Sequence, residues 1–182
     1  MHMKRLFVFS LAVLLLVGCL GSQKEGSESW KTYDVNSFSI SYPSDWQAKA
    51  TPQGVMFVSP NQGANLQAGS YPVSDTDIRT LDEYIFENKK ELTVEFINQL
   101  STPENQIDNV EILSESVKTI NGQPARQLEI KVTPKTGSVI RQEQIYFFKG
   151  QTGHILTATA TEAGFEAEKA RFLRAFESFV IK

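Results

Sequence analysis

The stretch VEILSESVKTI-NG-QPARQLEIKVT, running from Val110 to Thr133, decides how this chain reads as a fold. Asn121-Gly122 tolerates the positive φ angles of a type I′ turn, and it separates two runs of strand length, a strong short-range hairpin signal. In the second run Leu128, Ile130 and Val132 alternate with Gln127, Glu129 and Lys131. That two-residue period belongs to a strand with one wet face. Pro134-Lys135-Thr136-Gly137 then turns the chain into a strand over Ser138–Lys149, and Gly150-Gln151-Thr152-Gly153 turns it into another over His154–Thr161. Antiparallel strands therefore follow one another directly. In the last of them Leu156, Ala158 and Ala160 form one side and Thr157, Thr159 and Thr161 the other, and the small residues leave room for a helix to pack closely.

Upstream, Phe38, Ile40 and Tyr42 alternate with serines until Pro43-Ser44-Asp45 ends the strand. Trp46, just past that turn, is large enough to be expected in the core. Gly54–Ser59 and Asn65–Val73 read as two more strands around the Pro60-Asn61-Gln62-Gly63 turn, with Pro72 marking an edge or a strand end. Thr80-Leu81-Asp82-Glu83 has the spacing of a capping box and predicts a helix start. From there Leu81, Ile85, Leu92, Phe96 and Leu100 share a helical stripe, interrupted by Asn88, up to Ser101-Thr102-Pro103. One helix is expected over that whole span. Phe86, Val94 and Ile97 fall off the stripe, so the helix either is covered on more than one side, which is the expectation, or exposes a small apolar patch. A last helix, Ala163–Ser178, carries Phe165, Phe172 and Phe176, with glutamates early and Arg171 and Arg174 late, as the helix dipole favours. With no internal repeat and no second boundary, residues 30–182 form a single α+β domain: a central antiparallel β-sheet flanked by helices, an α/β/α sandwich.

The first eighteen residues are a different kind of sequence. Lys4 and Arg5 precede the apolar run Leu6–Val17, and Leu16-Val17-Gly18-Cys19 places small residues just before a cysteine. Residues 1–18 thus read as a signal peptide. A helix of about twelve residues rises only about 18 Å, short of a membrane's hydrocarbon core of roughly 30 Å. The Leu-Val-Gly-Cys ending resembles the lipobox of prokaryotic lipoproteins, which implies a diacylglyceryl thioether on Cys19, cleavage before it, and acylation of the new amine by a chain such as palmitate. Cys19 is the chain's single cysteine, so it forms no internal disulfide, and several acyl chains on one residue provide the multiple anchors that stable attachment requires. Residues 19–29 then form a lipid-anchored flexible tether. Its polar LGSQKEGSES run gives a root-mean-square reach of roughly 16–19 Å.

Composition narrows the function further. With 41% hydrophobic and 21% charged residues and a formal net charge of −3, the chain is apolar enough to fold and too acidic for bulk nucleic-acid binding. His2 leaves with the signal peptide, and His154 becomes the mature chain's lone imidazole. Zinc-site spacings, phosphate-cradling glycine loops and the Gly-x-Ser-x-Gly elbow are all missing from the sequence. His154, beside Gly153 at a turn-to-strand junction, is expected to be solvated or satisfied rather than catalytic. Asp75, Asp77, Asp82 and Glu83 cluster at the first helix. Two readings fit them: oxygen ligands for a hard cation such as calcium, without EF-hand spacing, or a solvated acidic loop that complements a helix N-terminus. No residue is assigned as catalytic, cofactor-binding or metal-binding; the one site residue is Cys19, for lipidation.

Taken together, Phe38-Ser39-Ile40-Ser41-Tyr42-Pro43-Ser44-Asp45-Trp46-Gln47, Asn121-Gly122-Gln123-Pro124-Ala125, Ile145-Tyr146-Phe147-Phe148-Lys149, Leu156-Thr157-Ala158-Thr159-Ala160 and Phe176-Glu177-Ser178-Phe179 resemble the PsbP-like family over about 30–182. The resemblance implies a central antiparallel sheet between helices, a fold shared with the Ran-binding Mog protein and DcrB-type lipoproteins. It also implies a non-enzymatic accessory style of action, as in the family's extrinsic photosystem II subunit, which helps retain calcium and chloride. No ligand or catalytic residue carries over. The expected function is that of a membrane-tethered, extracytoplasmic binding or assembly lipoprotein, PsbP-like and related to photosystem II. Its expected partners are the membrane, through Cys19, and a protein in or on that membrane, with no nucleic acid. A cell-envelope hydrolase and a weak calcium-binding accessory protein are the alternatives.

Overall fold

In the computed structural model, which describes residues 29–182, the chain runs β1 (Trp30–Asp34), β2 (Phe38–Pro43), β3 (Gln47–Thr51), β4 (Gly54–Val58), β5 (Ala64–Pro72), α1 (Leu81–Lys89) and α2 (Val94–Leu100). After a 3-10 turn at Pro103–Asn105 come β6 (Ile107–Ile120), β7 (Gln123–Pro134), β8 (Ile140–Lys149), β9 (Thr152–Thr161), α3 (Glu162–Glu177) and β10 (Val180–Ile181). The signal segment, Cys19 and the tether through residue 28 lie outside the described residues.

Seven strands form one antiparallel sheet in the order β3-β4-β5-β9-β8-β7-β6, and β1-β2-β10 form a small second sheet. Strand alternation sends side chains to two cores. On one face Val55, Phe57, Leu66, Ala158 and Ile145 pack with Phe165, Phe172 and Phe176 of α3 and with Phe38 and Ile40 of the small sheet. On the other face Leu128, Ile130, Val132 and Tyr146 pack with Tyr84 and Ile85 of α1. This is the helix-sheet-helix α+β arrangement expected from the sequence. The two-residue strand β10, the small sheet it completes with β1 and β2, and the edge strand β3 are additions that the sequence pattern did not announce.

The Val110–Thr133 hairpin is built as its turn residues require. Asn121 and Gly122 have φ of 49° and 76°, the paired positive values of a type I′ turn. The Asn121 side-chain amide also donates to the carbonyls of Glu177 and Phe179 at 2.9 and 2.8 Å, tying the turn to the end of α3. A β-carbon on Gly122 meets nothing within 4 Å, so the penalty for a side chain there is conformational rather than steric. Gly122→Val is expected to lower unfolding free energy by about 1 kcal/mol or more in urea titration. An unchanged midpoint would contradict the turn assignment.

The single helix expected from Thr80 to Leu100 is instead two. The capping box at its start is real: Thr80 Oγ1 accepts from Glu83 N at 3.2 Å and Glu83 Oε2 accepts from Thr80 N at 2.9 Å. The α1 helix stops at Lys89, however, where Glu91 N and Leu92 N bond three residues back to Asn88 and Lys89. Thr93 is extended, at φ −119°, and its hydroxyl caps α2 by accepting from Phe96 N. A threonine that looked like an ordinary mid-helix residue is the second N-cap. Asn88 belongs to the buried stripe, its amide donating to the Tyr84 carbonyl at 2.7 Å. Phe86 is 63% exposed, so the expected cover on a second side of the helix is absent at that position. Tyr84 lies flat against Gly153, where an added β-carbon would come 2.1 Å from its ring. That glycine lets α1 approach the sheet.

Candidate functional site

Cys19 lies outside the described residues; the other candidates have a definite place in the fold. His154, on β9, is 3% exposed and edge-on to Phe179 at 6.2 Å between ring centroids. Its Nδ1 lies 2.8 Å from Ser70 Oγ, and Ser70 donates to Ser37 Oγ at 3.3 Å. Burial, reinforced by the positive charge of Lys149, pushes the imidazole pKa down to about 4. The histidine is thus buried and satisfied. A serine beside a histidine is the first requirement of a hydrolase, but a triad also needs an acid that orients the imidazole. No carboxylate hydrogen-bonds to this ring among the described residues.

Three of the four acidic side chains near α1, those of Asp75, Asp82 and Glu83, are engaged in local structure. Asp75 accepts from Asp77 N at 2.9 Å, and Asp82 pairs with Arg126 at 2.6 Å. Glu83 accepts the backbone N–H groups of Arg79 and Thr80, which hold its carboxyl below the usual carboxylate range. Among the described residues no group of three or more histidine, cysteine, aspartate or glutamate side chains is placed to hold a metal ion. The sequence did not single out Glu143, which is 2% exposed and accepts from Gln127 Nε2 at 2.6 Å. Burial raises its pKa, and neighbouring Glu129 adds to the shift. A shallow cleft of about 230 Å³ at the other end of the sheet is lined by Gln47, Lys49, Met56 and Gln62, with Asp45 at its rim drawn to Arg171 at 3.6 Å.

The feature best suited to a function lies along β6. This strand is fourteen residues long, it is the last in the sheet, and β7 is its one hydrogen-bonded neighbour among the described strands. Its outer edge therefore presents a row of backbone donors and acceptors. Register shifts between Ile107 and Asn109 and between Ile112 and Ser114 break the ladder, leaving Ser114–Ile120 as an uninterrupted run. Val117 in that run is 68% exposed and stands opposite Arg126, on the face that α1 covers.

The α1 helix brings a second large apolar group to the same place. Asp82, Phe86 and Lys89 follow one another at helical spacing, so they share a stripe. The outer two reach the sheet, Asp82 to Arg126 at 2.6 Å and Lys89 to Glu115 at 2.8 Å. Phe86 stands between them, with Lys90 Nζ 4.5 Å from its ring centroid. Exposed ion pairs of this kind contribute at most about 1 kcal/mol each; their effect here is to frame an apolar patch of Phe86 and Val117 with neutralised charge. An unpaired strand edge beside such a patch suits docking by strand addition, in which main-chain bonds supply affinity and apolar side chains supply selection. The sequence contained both halves of this site, but strand order is needed to see that they meet at an edge.

A family model described as PsbP-like protein matches residues 20–181. Comparison with curated protein sequences yields no significant match. Among solved structures the fold is similar to cyanobacterial PsbP (CyanoP) from Synechocystis, at 18% identity over 91% of this chain and 100% of that one, with a TM-score of 0.63. It is also similar to the Ran-binding protein Mog1p of Saccharomyces cerevisiae, at 11% identity, 85% and 96% coverage and a TM-score of 0.55. LpqN of Mycobacterium tuberculosis, involved in cell envelope biogenesis, aligns at 14% identity, 86% and 92% coverage and a TM-score of 0.53. At such identities these structures share its architecture.

Proposed function

This chain belongs to the PsbP-like protein family, and from that membership we propose that it is a lipid-tethered, non-enzymatic binding and assembly protein on the outer face of the cytoplasmic membrane. The observation that carries the proposal is the unpaired Ser114–Ile120 edge of β6 beside exposed Phe86 and Val117. The neutral, buried His154 and the structurally engaged acidic residues support a binding role over hydrolysis or calcium retention. The involvement of the structurally similar LpqN in cell envelope biogenesis agrees with the export signal.

The described chain enters through Trp30 of β1, and Arg174 of α3 stacks over the Trp30 ring at 4.3 Å, so that entry lies on the α3 side of the large sheet. No helix among the described residues is long and apolar enough to cross a membrane. On this reading attachment rests on Cys19, and α1 with its patch lies on the face of the sheet opposite Trp30.

Two changes in the full chain test this. Cys19→Ser should remove the lipid and move the protein from washed membranes to the soluble fraction. Val117→Lys should leave it on the membrane yet shift it, on native electrophoresis of gently solubilised membranes, from a complex to a smaller species. Quantitative retention of the serine variant would overturn the anchor. Migration of the wild-type chain at its own mass would overturn the docking role.

A further inference from the structure

Resting on the docking role of the β6 edge, we propose that the occupant of that edge is a second copy of this chain, paired antiparallel through Ser114–Ile120 about a two-fold axis at Val117.

The run is self-complementary in that register. Antiparallel pairing centred on Val117 places Val117 against its own mate, Ser116 against Lys118, and Glu115 against Thr119. No like charges stand directly opposite, which is the arrangement cross-strand pairing requires. The faces agree too. Val117 and Glu115 lie opposite Arg126 and Leu128 on the α1 side, whereas Ser116 and Lys118 lie opposite Gln127 and Ala125 on the α3 side, so every pair joins side chains of the same face. Pairing ends naturally at one side, because the register shift after Ile112 breaks the ladder. Each Phe86 comes from an α1 whose ion pairs reach Glu115 of β6 and Arg126 of β7, the residue opposite Val117, so the two copies place two Phe86 and two Val117 side chains in one apolar strip. These are the most exposed large hydrophobic side chains among the described residues.

Where the chain enters the domain suits this occupant. When two identical edge strands pair antiparallel in one continuous sheet, the two-fold axis is normal to that sheet. The α3 faces of both copies therefore lie on the same side. Trp30, where the chain enters the domain, lies on that side in both copies, so anchoring two chains in one membrane is compatible with their β6 edges meeting. Confinement to that membrane raises their effective concentration, and the interface is isologous, the commonest form in soluble oligomers.

The test uses two differently tagged full-length copies expressed together and purified from solubilised membranes through one tag. The second copy should be recovered with the first. Val117→Lys in both copies should lower that recovery at least tenfold, and Val117→Lys in one with Val117→Glu in the other should restore it. Position 117 is exposed, so both variants should keep the wild-type secondary structure, which is checked by circular dichroism alongside. Recovery that ignores the Lys/Lys change, or that the Lys/Glu combination fails to restore, overturns pairing at this edge. If the native complex depends on Val117 while the tagged copies never co-purify, the occupant is another protein: this inference fails and the docking role stands. If no complex exists at all, both fail.

Discussion

Phe172→Ala is expected to lower the unfolding free energy by about 3–5 kcal/mol, whereas Leu173→Ala, one residue further along the same helix, should change it by about 0.5 kcal/mol or less. Phe172 is 1% exposed, edge-on to Trp46 at 5.9 Å and tilted against Phe165 at 5.3 Å. Leu173 is 42% exposed. Truncating the first removes a ring from the layer that joins α3, the β2–β3 turn and the large sheet, and leaves a cavity that its two aromatic neighbours cannot close. For a domain of this size such a loss lowers the melting temperature by roughly 10 °C. Equal losses at the two positions would mean that α3 is not docked through its phenylalanine stripe.

The second large effect is on acid stability. An imidazole with a folded pKa of about 4 and an ordinary value of 6.5 when unfolded is neutral in the native state across an interval where the unfolded chain binds a proton. Stability from this group is therefore full above about pH 6.5 and is lost as pH falls toward 4, to a total of about 2–3 kcal/mol. Glu143 has the opposite sign. Its raised pKa means the native state holds a proton that the unfolded state releases above about pH 4.5, so its contribution declines as pH rises. Urea titrations from pH 4 to 7 should show stability rising with pH more steeply in Glu143→Gln than in the wild type, and no longer rising in His154→Asn. A histidine variant with the wild-type slope would contradict the buried, neutral assignment.

What the sequence disclosed was local chemistry. Asn121-Gly122 could be read because few residues accept two successive positive φ angles, and Thr80 with Glu83 because a capping box is closed within four residues. Ala158 and Ala160 announced a closely packed helix, which is α3. What it concealed depends on partners distant in the chain. The two residues of β10 are a strand because they meet Ser39 and Phe38, and Ser70 finds His154 across 84 positions. The break after Lys89 was hidden because apolar spacing continues through it, and only backbone geometry reveals Thr93 as a cap. The expectation that Phe86 would be covered failed for a related reason. Its exposure follows from β6 being the outermost strand, and strand order is not a property of any local stretch.

The same logic identifies the most direct test of the docking edge. Backbone amide exchange of β6 can be followed in the full-length lipoprotein within its membranes and in the Val117→Lys variant prepared identically. In an unoccupied edge strand the outward-facing N–H groups meet water, whereas pairing with another strand protects them. The account predicts slow exchange for alternate amides of Ser114–Ile120 in the wild type and fast exchange for the same amides in the variant, with α3 unchanged between the two. Equal, rapid exchange of these amides in both preparations would contradict it.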